Sequence, residues 1–276
     1  MQGRMENANS QVIGLCRFSY PALGGFQVEH TETAEREAYL YAPERMQERF
    51  RLFEEFTLPP LRAQSDPDFT LLVVIGPNMP RHDHERLMDN LATLPQARVV
   101  IREPGRHRDV MREVINAAVL DSDQPSLQFR MDDDDSVSVR FVERLRKLAQ
   151  AARGLLRSNR HVAIDFVNGF VATPTPEGIL AAATFQHMWT PALAISVRPG
   201  VRHTIMNYSH ARLWQTMPTL SSPEEPMFVR GHNGYNDSRQ KEGVRMPKLS
   251  LLDTAGEALF RDHFHIDADR VRASFR

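Results

Sequence analysis

Ser126-Leu127-Gln128-Phe129-Arg130-Met131 runs straight into Asp132-Asp133-Asp134-Asp135, and this junction decides how the chain is read. The first part alternates apolar and polar residues, the pattern of a strand with two unlike faces. The second part is a row of consecutive carboxylates, the sharpest concentration of charge in the sequence. Like charges side by side repel, and burying any of them is costly unless a cation or hydrogen-bond donors compensate. A solvated acidic turn and a divalent-cation site both fit that composition. Position favours the cation site, because the run follows a strand and precedes a helical pattern of Val142, Leu145, Leu148, Ala149 and Ala152. Ser136 and Ser138 are the expected N-caps, which would set the carboxylates beside the positive end of a helix.

Toward the N-terminus, Val12–Phe18 reads as a first strand, with Cys16 as a buried packing residue, and Ser19-Tyr20-Pro21 with Gly24-Gly25 reads as the loop leaving it. Arg17, at the end of that strand, suits either a phosphate or a surface ion pair. Met46, Phe50, Phe53 and Phe56 follow helical spacing, which predicts a helix over roughly 43–57 broken by Pro59-Pro60. Phe69–Ile75 is a nearly continuous apolar run ended by Gly76-Pro77-Asn78, as in a buried parallel strand. A helix carrying Leu87, Leu91 and Leu94, a brief strand Ala97–Ile101, and a helix carrying Val110, Val114, Ile115 and Ala118 follow in turn. This alternation predicts an α/β fold with a Rossmann-type parallel sheet, whose strand carboxyl ends collect ligand groups. Neither a dinucleotide-binding glycine fingerprint nor a P-loop is present. Arg106, Arg108 and Arg112, with Asn116 on the same helix, make a basic segment suited to a diphosphate in a crevice shared with carboxylates.

Toward the C-terminus, Val162–Val167, Asn168-Gly169 and Phe170–Thr173 carry the signal of a hairpin with a type I′ turn. Further strands are expected at 179–185 and 192–197, so the parallel half gains antiparallel members. Residues 200–247 read as a loop-rich, substrate-facing segment, with a short helix at Tyr208–Trp214. Thr254 and Glu257 are spaced as a capping box. The expected organisation is a disordered stretch 1–11, then one domain over 12–276, with a donor-binding half of about 12–155 and an acceptor-facing half of about 156–276.

Composition bounds the function. The chain has 276 residues, 41% of them hydrophobic and 25% charged, as in a soluble globular protein. A net charge of −1 gives no electrostatic reason to seek nucleic acid. The single cysteine excludes an intrachain disulfide and a cysteine-rich zinc site, and fits a reducing compartment. No run approaches the roughly 18 apolar residues of a membrane span. A cytoplasmic location is expected, and peripheral attachment to the inner membrane is compatible with it.

An acidic cluster after the fourth strand and a His-Asn-Asp cluster over Gly231–Ser238 are the parts of a mixed oxygen and nitrogen metal site, which suits Mn²⁺ or Mg²⁺. The order of elements, with Gly105–Asn116 leading to Met131-Asp132-Asp133-Asp134-Asp135, resembles the nucleotide-sugar half of a GT-A glycosyltransferase with its Asp-x-Asp motif. More narrowly, Arg17-Phe18-Ser19-Tyr20, Arg45-Met46, Arg49-Phe50, Thr57-Leu58-Pro59, the aspartate run, and Gly231-His232-Asn233 with Asn236-Asp237-Ser238 resemble bacterial rhamnosyltransferases. The resemblance implies a GT-A-like mixed sheet and transfer of a sugar from a nucleotide-diphosphate donor to a saccharide or glycolipid acceptor. It implies Asp134 and Asp132, with Asp135 adjacent and His232 as a further ligand, at the metal. It also implies donor contacts from Asp132, Asp133, Arg17, Arg108, Arg112 and Asn116. A register shifted to Asp133 and Asp135 stays open. For the base that takes the acceptor proton, the candidates are Asp237, Glu225 and His210, with Glu224 beside them. Trp189 and Trp214 suit either sugar stacking or core packing. A nucleotidyltransferase or phosphoesterase, and a non-catalytic metal-binding protein, are the competing readings.

Overall fold

The computed structural model describes residues 10–24, 32–232 and 247–276. Its strands are β1 (Gln11–Arg17), β2 (Thr70–Ile75), β3 (Ala97–Ile101), β4 (Ser126–Asp132), β5 (Ser136–Val137), β6 (His161–Phe166), β7 (Asn168–Thr175), β8 (Gly178–Phe185), β9 (Leu193–Val197), β10 (Thr219–Ser222), β11 (Phe228–Gly231) and β12 (Ser250–Leu251). The α-helices are α1 (Thr33–Leu40), α2 (Pro43–Leu52), α3 (Leu58–Arg62), α4 (Arg81–Leu91), α5 (His107–Ala118), α6 (Phe141–Ala151), α7 (Thr254–Phe264) and α8 (Ala268–Ser274).

Seven strands form a mixed sheet in the order β10-β6-β9-β4-β1-β2-β3. β1 pairs in parallel with β2 and β4, and β2 with β3, while β9 runs antiparallel between β4 and β6. The chain therefore moves outward from β1 to β3, then returns to lay β4 on the other side of β1. Such a reversal opens a crevice at the carboxyl ends of the two central strands. The expected α/β class holds, parallel in the first half and mixed beyond it. The second half also builds a separate sheet, β12-β8-β7-β11-β5.

Side-chain alternation sorts the large sheet into two faces. Val12, Cys16, Leu127, Phe129, Met131, Ile164 and Phe166 pack with the apolar residues of α2, α3, α4 and α6. Ile13, Leu15, Ala163, Leu193 and Ile195 pack with Met111, Val114 and Ile115 of α5 and with Met206 and Leu213. A cluster around Phe260 and Phe264 joins α7 and α8 to the small sheet. Phe18 packs on Phe50 and Phe53 with ring centroids 5.0 Å away, and full burial of each such side chain contributes roughly 1.5–3 kcal/mol.

Several local expectations fail for identifiable reasons. Pro59 and Pro60 do not end the helix; α2 passes through a π turn at Phe53–Thr57 directly into α3. Prolines lack the N–H that would bond back one turn, so carbonyls of the π turn are released to other donors. The Phe56 carbonyl accepts from Ser136 Oγ at 2.5 Å. Ser136 and Val137 are thus strand β5, and α6 starts only at Phe141, so the aspartates do not sit beside its N-terminus. Asn168-Gly169 makes no hairpin, because β6 and β7 belong to different sheets. Its glycine answers a close approach instead: a Cβ there would lie 2.5 Å from the Phe228 carbonyl oxygen. The cap of α7 is Asp253, which accepts from Gly256 N at 2.8 Å, while Glu257 bonds Arg272 of α8. The short helix expected at 208–214 is a 3-10 stretch, His210–Gln215.

Candidate active site

Asp132 is the last residue of β4 and the register partner of Arg17, the last residue of β1. The chain then folds back on itself. Asp135 N donates to the Asp132 carbonyl at 3.3 Å, while Asp135 takes Asp132 N at 3.4 Å on Oδ2 and Gly231 N at 3.2 Å on Oδ1. Asp133 turns the other way, into the core, where its fully buried carboxylate pairs with Arg49 of α2. Arg49 Nη1 also reaches Asp134 Oδ2 at 3.3 Å, and Thr57 Oγ1 holds the Asp133 carbonyl at 2.9 Å. In consequence Asp132, Asp134 and Asp135 each present a carboxylate oxygen, all within 4.8 Å of one another. This geometry gathers Asp132, Asp134 and Asp135, so it holds both acids of one open register and one of the other, and it sends Asp133 away.

Close packing behind the loop leaves no room at Gly231, where a Cβ would meet the Asp134 carbonyl oxygen at 2.3 Å. Gly231→Ala is expected to displace the aspartates and to destabilise the protein by about 1–3 kcal/mol, as overpacking does. Thermal melting together with Mn²⁺ binding checks this, and unchanged values in both would refute the close contact.

Arginines compensate the buried acids. Burial opposes ionisation of Asp132, but Arg17, Arg230, Arg130 and Arg49 outweigh it and hold this carboxyl below its ordinary range. Burial raises Asp135 well above its ordinary value, Arg230 opposing and the Asp134 and Asp132 charges adding to the rise. Arg230 is desolvated too, yet the same three carboxylates keep it firmly charged. Its guanidinium lies 5.4 Å from the centroid of the Trp189 ring. Arg130, two residues before Asp132 and on the same face of β4, is lowered by burial to about 10. Two imidazoles lie within electrostatic reach of Asp132. His107, in the first turn of α5, is pulled down to about 3 by burial and by Arg17 and Arg130. His210 is lowered by burial, Arg130 and Arg230, and its Nδ1 is 2.7 Å from the Met188 carbonyl oxygen.

A family profile described as "Putative rhamnosyl transferase" matches residues 11–245. The chain belongs to this family. No curated protein matches it. Among solved structures, S. aureus TarS 1-349 is similar at 10% identity and a TM-score of 0.39, over 80% of this chain and 60% of that one. The same protein in complex with UDP gives 10% and 0.41 over 80% and 60%, and with UDP-GlcNAc 10% and 0.40 over 82% and 60%. The chain thus spans about 60% of the length of that TarS form.

The acidic run and the Gly231-His232 segment meet in space, through Gly231 N and the Asp135 carboxylate. His232 directly follows Gly231, and its backbone is fixed on both sides: its N donates to the Ala172 carbonyl at 2.8 Å, and its carbonyl accepts from Thr173 Oγ1 at 2.6 Å. Its ring is not part of the three-carboxylate group. Arg108, exposed in the first turn of α5, is within reach of His107 and Arg130. Arg112 pairs with Asp109, and Asn116 donates to the Arg202 carbonyl at 3.1 Å, so both serve α5 away from the acids. Glu225 is bound by Arg140 and Arg144, and Glu224 by Arg144, which ties the segment before β11 to α6. Asp237 lies outside the described residues. Trp214 is exposed, while Trp189 packs against the core beside Phe228. The residues around the acids that the sequence did not single out are Arg130, Arg230 and His107. Strand alternation would have found one of them, since Arg130 shares a face with Asp132.

The donor set is three carboxylates without sulfur, which fits a hard divalent cation. The surrounding guanidinium groups are suited to phosphate oxygens.

Proposed function

We propose that the protein is a metal-dependent glycosyltransferase that moves rhamnose from a nucleoside-diphosphate donor to a hydroxyl of a saccharide or glycolipid. The observation that carries this reading is the convergence of Asp132, Asp134 and Asp135 in the strand-end crevice beside Arg17, Arg130 and Arg230, in a chain of a rhamnosyl transferase family. Asp132 and Asp134 would hold Mn²⁺ or Mg²⁺, with Asp135 within reach and His232 next to the loop. When bound, the cation neutralises charge on the departing diphosphate. Arg17, Arg130 and Arg230 bind the phosphate oxygens, with Arg108 at the edge. Because these guanidinium groups are already held in place by the acids, little reorganisation is needed as negative charge develops on the leaving group. Among the described residues no helix is long and apolar enough to cross a membrane. A cytoplasmic enzyme that meets glycolipid acceptors at the inner membrane surface agrees with the reading.

Melting with dTDP-L-rhamnose, UDP-GlcNAc and GDP-mannose, each with and without Mn²⁺, is the direct test. One donor is expected to raise the melting temperature in the presence of Mn²⁺, and ligand at 100 times Kd contributes about 2.7 kcal/mol. That donor should release nucleoside diphosphate on turnover. Release of pyrophosphate or inorganic phosphate would turn the reading to a nucleotidyltransferase or phosphoesterase. Mn²⁺ binding with no donor binding would leave a non-catalytic metal-binding protein.

A further inference from the structure

Asp165, one residue before the end of β6, has 0% exposure and lies on the sheet face that also carries Arg17, Arg130 and Asp132. Binding a diphosphate has no need of it. Both of its carboxylate oxygens lie 3.1 Å from Met188 N, and Oδ2 lies 3.1 Å from His187 Nδ1. Met188 is thereby held in the left-handed region at φ 60°, unusual for a residue with a side chain. The segment 187–190 then reaches the site at several points. The Met188 carbonyl faces His210 Nδ1 at 2.7 Å, the Thr190 carbonyl accepts from Arg230 Nη1 at 3.3 Å, and the Trp189 ring lies against the same guanidinium.

A carbonyl oxygen can only accept, so the proton of neutral His210 sits on Nδ1 and the lone pair is left on Nε2. Burial beside Arg130 and Arg230 disfavours the imidazolium, and Asp132 is the opposing charge. His107, the other imidazole near Asp132, is in the first turn of α5, whereas His210 is tied to the 187–190 segment through the Met188 carbonyl.

We propose that His210 Nε2 is the proton acceptor for the incoming hydroxyl, and that Asp165 is its positioning residue, acting through the Met188 peptide. The inference rests on the glycosyltransferase reading above. In the step it describes, the hydroxyl proton passes to Nε2 as the oxygen bonds to the anomeric carbon. The bond from that carbon to the diphosphate oxygen breaks, its electron pair leaves with the nucleoside diphosphate, and the imidazolium proton then goes to solvent.

Two measurements on the full chain test it. Histidine ¹⁵N spectra at neutral pH are expected to show His210 with Nδ1 protonated and Nε2 bare. Asp165→Ala should mix the two tautomers, and Asp165→Asn, which keeps an acceptor for Met188 N, should restore the single one. Mn²⁺-supported hydrolysis of dTDP-L-rhamnose, with water as acceptor, is expected to lose about 10²–10⁴-fold in kcat in His210→Gln with the donor KM unchanged. Asp165→Ala should lose kcat and Asp165→Asn recover most of it. A protonated Nε2 in the unsubstituted protein, or full kcat in His210→Gln, overturns the inference and leaves the glycosyltransferase reading standing. No turnover by the unsubstituted protein with dTDP-L-rhamnose, UDP-GlcNAc or GDP-mannose overturns both.

Discussion

Asp132→Asn is expected to lower donor turnover by about 10²–10³-fold, the scale on which loss of one group that stabilises transition-state charge is felt. The amide removes an oxygen from the three-carboxylate group and takes from Arg17, Arg230 and Arg130 the anion they share. The fold should lose some stability too, because the Asp132 carboxylate offsets the charges of Arg17, Arg230 and Arg130. Its backbone contribution, paired to Arg17 in the β1–β4 ladder and bonded to Asp135 across the turn, is kept. Rates of nucleoside diphosphate release over a range of Mn²⁺ concentrations, with melting curves alongside, separate the two contributions. A near-normal rate at saturating Mn²⁺ would remove Asp132 from the site.

Arg49→Met should damage stability instead, by about 3–5 kcal/mol, the cost of leaving one member of a buried ion pair uncompensated. Asp133 has 0% exposure, and its salt bridge is to Arg49, which is itself 1% exposed. Without that guanidinium the carboxylate is stranded between α2 and the acidic loop, and Asp134 loses its 3.3 Å contact as well. Pairing Arg49→Met with Asp133→Leu should recover much of the loss, since a buried pair exchanged for apolar side chains of similar size is often neutral. Urea denaturation of both variants decides. A single-variant loss under about 1 kcal/mol would mean that the pair behaves as a solvated one.

The contrast between these neighbours marks what the sequence could and could not disclose. The alternation of strand and helix through Ile115, and the end of β4 at the aspartates, were readable because periodicity and charge are local properties. Which acid faces the crevice was not, because that choice depends on Arg49, 84 residues away in the chain. Asn168-Gly169 misled for the same reason: its glycine answers to Phe228 on another strand, not to a tight turn. Pro59-Pro60 reads as a helix end until Ser136 is seen accepting the role of donor to the freed Phe56 carbonyl. Arg230 had no periodic context that would set it apart from other arginines, and its role appears only when β11 is laid beside β5 and β7.

The pairing of Arg17 with Asp132, and of Leu15 with Arg130, has a bearing on how the chain avoids misfolding. Strand side chains alternate, so a slip of β4 by one residue would swing its charged set to the opposite face. Arg130 and Asp132 would then be driven toward Phe141, which packs on Phe129, and toward Phe166 behind it, while Phe129 and Met131 would be turned out toward the crevice. No mispaired sheet can tolerate that easily. The charges that would handle a sugar donor thereby also help specify the register in which β4 pairs with β1.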